Sequence, residues 1–202
     1  RMTALFGDDG LDYRYRDMPS SGVLPWTPTL LAVKERVEAW CCAQLRQGTA
    51  QGAMAEVSGS SEGIKFNVVL LNYYRNGQDR IGWHFDREEI GRTTPIASVS
   101  LGTERRFQIR HKRRHTDATD IMLEAGSILV MENRCQQEYV HGVPRDPNVA
   151  DGRINLTFRC TQERTKGEAD HERHGQAMHD AMEEDEDQDE YVGEASGAHG
   201  ST

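Results

Sequence analysis

The chain has 202 residues, of which 36% are hydrophobic and 28% charged, and its formal net charge is −9. That length suits one domain of about 100–200 residues with an apolar core of its own, and no apolar run approaches the roughly 18–20 residues of a membrane-spanning helix. Four cysteines with no CxxC pair do not make a disulfide scaffold and fit reduced thiols in an intracellular protein. The chain opens Arg1-Met2 without a charged–apolar–small leader, which reads as a fragment whose targeting segment could be missing.

Residues 1–26 read as irregular, punctuated by Gly7, Gly10, Pro19, Gly22 and Pro25. A helix is predicted over 28–46. Thr27 can cap it, Pro28 suits its first position, and Leu30, Val33, Val37, Trp40, Cys41 and Leu45 recur at helical spacing. Residues 48–63, rich in Gly, Ser and Ala, read as a mobile surface insertion. Strands are predicted near 66–74, 80–86, 95–101, 105–112, 120–123, 127–132, 138–143 and 153–160. Many short strands with Gly-containing turns suggest an all-β sandwich or barrel with one helix packed outside. The acidity is confined to the C-terminal end. Residues 160–202 carry 13 acids and 3 bases, whereas residues 1–159 carry 20 and 21. Residues 161–202 therefore read as an acidic disordered tail, too poor in apolar surface to offset its ordering entropy, behind a folded domain over 1–160.

Three patterns carry chemistry. In His84-Phe85-Asp86, strand alternation points the imidazole and the carboxylate to one side. They form two-thirds of the 2-His-1-carboxylate arrangement that suits non-haem Fe(II). A third ligand must be a histidine. His171, His174, His179 and His199 lie in the tail, and His111 and His115 in a basic turn, which leaves His141 in a strand. By itself HxD is a common surface tripeptide.

In Arg153-Ile154-Asn155-Leu156-Thr157-Phe158-Arg159, apolar residues alternate with hydrogen-bonding ones. Two guanidiniums at most about 20 Å apart on one strand can bracket a small dianion, because guanidinium binds carboxylate bidentately. An amphipathic edge strand with a solvated polar face is the plainer reading of the same pattern. Asn72 and Tyr74 share a face at the end of another apolar strand and could bond that dianion, or simply meet solvent. Residues 105–114, Arg-Arg-Phe-Gln-Ile-Arg-His-Lys-Arg-Arg, read either as a phosphate-binding patch or as a solvated hairpin.

Seven stretches match in order: Asn72-Tyr73-Tyr74, Asp79 to Asp86, Pro95 to Gly102, Arg106-Phe107, Gly126 to Met131, His141 to Pro144 and Arg153 to Arg159. Together they resemble the AlkB family of Fe(II)- and 2-oxoglutarate-dependent nucleic-acid dealkylating dioxygenases, nearest the second and third mammalian members. The resemblance covers roughly residues 1–160. It implies a mainly β fold, a double-stranded β-helix or jelly roll with one or more packing helices. It implies iron on His84, Asp86 and His141. The distal carboxylate of 2-oxoglutarate would pair with Arg153, assisted by Tyr74 and Asn72. Arg159 would sit near the other carboxylate, Thr157 would line the pocket, and Arg106 would face the site. Phe6-Gly7-Asp8 and Tyr13-Arg14-Tyr15 resemble the family's nucleotide-recognition region. Arg87 stands where the repair members have a second Asp, which bears on a base contact that Asp would make.

The implied reaction uses O2 and 2-oxoglutarate to hydroxylate an N-methyl group, such as that of 1-methyladenine or 3-methylcytosine, in DNA or RNA. The products are formaldehyde, succinate and the repaired base. The base must leave its stack to be reached. The duplex-preferring relative carries an apolar wedge just before the segment that Arg1-Met2-Thr3 resembles, so single-stranded substrate is expected for the chain as given. A nuclear or cytoplasmic location goes with that role. Two other readings are an oxygenase of the same fold acting on RNA or protein, and a non-catalytic nucleic-acid-binding module.

Overall fold

The computed structural model describes residues 1–11, 22–50, 63–86, 95–114, 116–132 and 134–161. Tyr13, Arg14, Tyr15, Arg87, nearly all of the Gly- and Ser-rich insertion and residues 162–202 of the acidic tail lie outside them.

The chain runs β1 (Met2–Gly7), β2 (Val23–Pro25), α1 (Pro28–Ala50), β3 (Val68–Tyr74), β4 (Ile81–His84), β5 (Ile96–Gly102), β6 (Arg105–His111), β7 (Thr119–Leu123), β8 (Ile128–Met131), α2 (Cys135–Glu138), β9 (Tyr139–Val143) and β10 (Arg153–Arg159). A six-stranded sheet has the order β2-β1-β3-β10-β5-β8, and a four-stranded sheet the order β4-β9-β6-β7. The fold is the expected jelly roll, two mostly antiparallel sheets with one long helix outside.

The N-terminal expectation is corrected: residues 1–26 contain two strands. β1 pairs antiparallel with β3 from Met2↔Tyr73 to Gly7↔Val68, and β2 pairs parallel with β1. Gly7 looked like a break, but it is a site of close approach. A Cβ there would lie 2.8 Å from the Asn67 carbonyl oxygen. Cross-strand pairing supplied by β3 decides the conformation, and local punctuation does not show it.

Helix α1 begins as expected. The Leu30 amide donates to Thr27 Oγ1 at 3.2 Å, which satisfies one of the unpaired donors of the first turn, and Pro28 needs no such partner. The helix buries Leu30, Val37 and Cys41 against Phe66, Val69, Ala97, Val99, Leu156 and Phe158 of the large sheet. Trp40, assigned to the apolar stripe, is 39% exposed. Glu38 is buried beside that stripe instead and accepts the Phe66 amide at 2.7 Å.

The period of two sets both faces of the large sheet. Ala97, Val99, Leu156 and Phe158 face α1. Asn72, Tyr74, Ser98, Arg153, Asn155, Thr157 and Arg159 line a cavity on the opposite side, between the sheets. A second apolar cluster closes that space, with Ile81, Ile96, Phe107, Leu123, Met131 and Val143 around Tyr74. β10 is a central strand, flanked by β3 and β5, and this rejects the edge-strand reading of its alternation.

Candidate metal and cosubstrate site

β4 and β9 bring the two histidines together. His84 and His141 are direct cross-strand partners, with ring centroids 4.4 Å apart. The strands can approach closely because residue 142 is glycine. A Cβ at Gly142 would come within 3.0 Å of the Ile81 and Gly82 carbonyl oxygens. The strand predicted over 80–86 stops at His84, so Asp86 reaches the same place from just beyond it. One ligand atom from each of His84, Asp86 and His141 lies within 4.8 Å of the others.

Electrostatics prepares these side chains for a cation. His84 Nδ1 lies 2.9 Å from the Gly82 carbonyl oxygen. An N–H there leaves Nε2 as the acceptor nitrogen of a neutral ring. Loss of water holds the His84 pKa down at about 3, and neighbouring His141 acts in the same direction. Burial also lowers that of His141. Both rings are therefore neutral, the form that binds metal. The ring of Phe107 stacks on His141 with centroids 5.3 Å apart. Asp86 Oδ2 lies 3.7 Å from His141 Nε2, and Arg159 Nη2 donates to Asp86 Oδ1 at 2.7 Å. Arg159, expected near a cosubstrate carboxylate, is thus engaged with the acidic member of the triad.

The rest of the cavity is built for an anion. Arg153 is 2% exposed. Its Nη2 donates to Ser100 Oγ at 2.9 Å, and its guanidinium lies 5.3 Å from the centre of the Tyr74 ring. Its Nε and Nη1 are buried without a hydrogen-bond partner, and burial lowers its pKa. A buried guanidinium without a counter-charge costs several kcal/mol, so a ligand carboxylate fits this position. Asn72 lines the same cavity; its buried Oδ1, an acceptor without a partner, calls for a donor, and only its Nδ2 could serve an anion.

Two assignments are refined. Thr157 Oγ1 donates to Asn155 Oδ1 at 3.0 Å, and Asn155 Nδ2 donates to Ser98 Oγ at 2.7 Å. These side chains hold one another across β10 and β5. Arg106 does not face the cavity. It lies on the exposed side of β6 beside Asp120, at 3.5 Å, while Arg105 is buried and Phe107 lines the pocket. Sequence reasoning missed Ser98, Ser100 and Gln136. The two serines had a visible signal, the i, i+2 spacing on β5.

A sequence model of the 2OG-Fe(II) oxygenase superfamily matches residues 4–159. The chain belongs to that superfamily. It is 35% identical over 174 residues to the Bos taurus protein "DNA oxidative demethylase ALKBH2", a match covering 82% of this chain and 55% of that protein. It is 31% identical over 176 residues to the Homo sapiens "Alpha-ketoglutarate-dependent dioxygenase alkB homolog 3", covering 83% of this chain and 54% of the relative. These matches make it an AlkB family member. The chain spans about half the length of the curated relatives it matches. The solved structure of OsALKBH1 superposes with a TM-score of 0.58 at 22% identity, covering 78% of this chain and 77% of that one, which supports the fold. The metal and cosubstrate of the superfamily, Fe(II) and 2-oxoglutarate, fit the His-Asp-His cluster and the unfilled guanidinium donors of Arg153 in the same cavity.

Proposed function

We propose that this chain is an Fe(II)/2-oxoglutarate-dependent dioxygenase that removes N-alkyl groups from nucleic-acid bases, with 1-methyladenine and 3-methylcytosine as substrates and formaldehyde and succinate as products. One observation carries the reading. Two neutral histidines gathered with the Asp86 carboxylate, and a buried guanidinium with unfilled donors, line a single cavity.

In this reading His84, Asp86 and His141 hold Fe(II), which supplies the activation of O2 when bound. Arg153 receives the distal carboxylate of 2-oxoglutarate as a charge-assisted pair, with Asn72 and Tyr74 beside it. Arg159 orients Asp86 through one oxygen and leaves Oδ2 on the histidine side. Phe107, Met131 and Ile81 keep the pocket apolar where the target methyl must enter. Tyr13, Arg14, Tyr15 and Arg87 are proposed to contact the substrate.

The surface supports a polyanionic partner. Within the basic run, Arg105 and Lys112 are committed to internal contacts. Arg110 lies 4.0 Å from the centre of the Trp83 ring, and Arg113 and Arg114 are exposed and available to phosphates. Extruding a base costs a few kcal/mol from a duplex and less from a single strand, so single-stranded DNA or RNA is the proposed form. A nuclear or cytoplasmic location follows from that substrate. Among the described residues no helix is long and apolar enough to cross a membrane.

The test measures formaldehyde release with Fe(II), 2-oxoglutarate and oligonucleotides carrying either lesion, single-stranded and annealed at equal salt. Release from the methylated strand alone, faster when unpaired, is expected. Faster release from the annealed form overturns the strand preference. Succinate formation that no oligonucleotide changes assigns the chain another substrate, and salt-sensitive binding without turnover marks a non-catalytic module.

A further inference from the structure

Asp86 lies beyond the last paired residue of β4, so the sheet ladder does not hold its backbone. A buried N–H there requires another acceptor. That acceptor is the side chain of Gln136 on α2, whose Oε1 receives the Asp86 amide at 2.8 Å. Gln136 is 7% exposed and is itself anchored twice. Its Nε2 donates to Met131 Sδ at 3.4 Å, and its backbone carbonyl accepts from Lys112 Nζ at 2.8 Å. The same ammonium lies 3.5 Å from the centre of the Phe85 ring, one residue before Asp86. Lys112 thus braces the α2 turn and the Phe85–Asp86 segment together.

We propose that Gln136 is a positioning residue for the metal site: its buried amide oxygen fixes the Asp86 backbone and thereby the place from which the Asp86 carboxylate meets the two histidines. This rests on the reading that His84, Asp86 and His141 hold the metal. Arg159 orients the carboxylate from its far side, whereas Gln136 sets the main chain that carries it. Both contacts are needed, because a carboxylate turned correctly on a displaced backbone still misses the ion. Partners behind metal ligands typically contribute about 10- to 100-fold in metal affinity.

The experiment titrates the metal-free chain with Co(II), followed by visible absorption, in wild type, Asp86→Ala, Gln136→Met and Gln136→Glu. Met keeps the length and burial of the side chain and removes the acceptor, and Glu restores an oxygen at the same reach. The expected result is a loss of about 10- to 100-fold in Co(II) affinity for Gln136→Met, with most of it recovered in Gln136→Glu. Wild-type affinity in Gln136→Met, with Asp86→Ala impaired, overturns this inference and leaves the metal assignment standing. If Asp86→Ala binds as wild type does, the metal assignment fails and the inference falls with it. A second measurement needs no variant. Hydrogen exchange in the metal-free wild type should show a protected Asp86 amide, and exchange at the unprotected rate overturns the inference even if Gln136→Met does not fold.

Discussion

His84 and His141 face each other across the β4–β9 ladder with ring centroids 4.4 Å apart, and Asp86 Oδ2 stands 3.7 Å from His141 Nε2. Neither strand holds a complete ligand set. The antiparallel register makes it, by placing a residue from each of two distant segments opposite the other. The first prediction follows. Asp86→Ala should abolish formaldehyde release and weaken Fe(II) binding. It should also leave Arg159 without its 2.7 Å partner. Release at a near wild-type rate from the Asp86→Ala protein removes this cluster from the reaction.

Arg153 supplies the second prediction. Its buried Nε and Nη1 have no partner within the protein. Arg153→Leu should therefore raise the apparent KM for 2-oxoglutarate steeply, by about 10-fold or more for a lost charge-assisted pair. The KM for the oligonucleotide should change little. Steady-state kinetics with each substrate varied in turn checks this, and an unchanged 2-oxoglutarate KM places the dianion elsewhere.

The third concerns the helix on the far side of the sheet. Glu38 accepts the buried Phe66 amide at 2.7 Å and pairs with Lys34 at 2.8 Å. Glu38→Leu leaves that amide unsatisfied and should destabilise the fold by about 2–4 kcal/mol. Glu38→Gln keeps an acceptor for Phe66 and should cost less. Urea unfolding of the three proteins reads the order directly.

The fourth uses a thiol. Burial pushes the Cys41 pKa up to about 11, with Cys42 adding to the shift. The folded thiol thus holds its proton above its ordinary value near 9. Its contribution to stability is complete below pH 9 and is lost as pH rises from 9 towards 11, because the unfolded chain ionises first. At pH 8, iodoacetamide should label Cys41 in the denatured chain and leave it largely unmodified in the native one. Peptide mass spectrometry distinguishes the two states, and equal labelling contradicts a buried neutral thiol.

Properties that depend on neighbours along the chain were legible from the residues alone. The alternation from Arg153 to Arg159 declared which side chains share a face, and Thr27-Pro28 declared where α1 begins. Both hold because strand and helix periods are local geometry. His84, Asp86 and His141 were legible as a set because few histidines lie in strands. Tertiary structure alone decided what those faces meet. β10 is central, with its arginines buried, because β3 and β5 flank it, and residues 2–7 form a strand because β3 lies alongside. Arg106 turns outward while Arg105 and Phe107 turn in, since the register with β7 and β9 sets the phase of β6. Gln136 carried no sequence signal at all. Its partner, the Asp86 amide, is 50 residues away, and a backbone N–H left over at a strand end becomes visible only when the chain has folded around it.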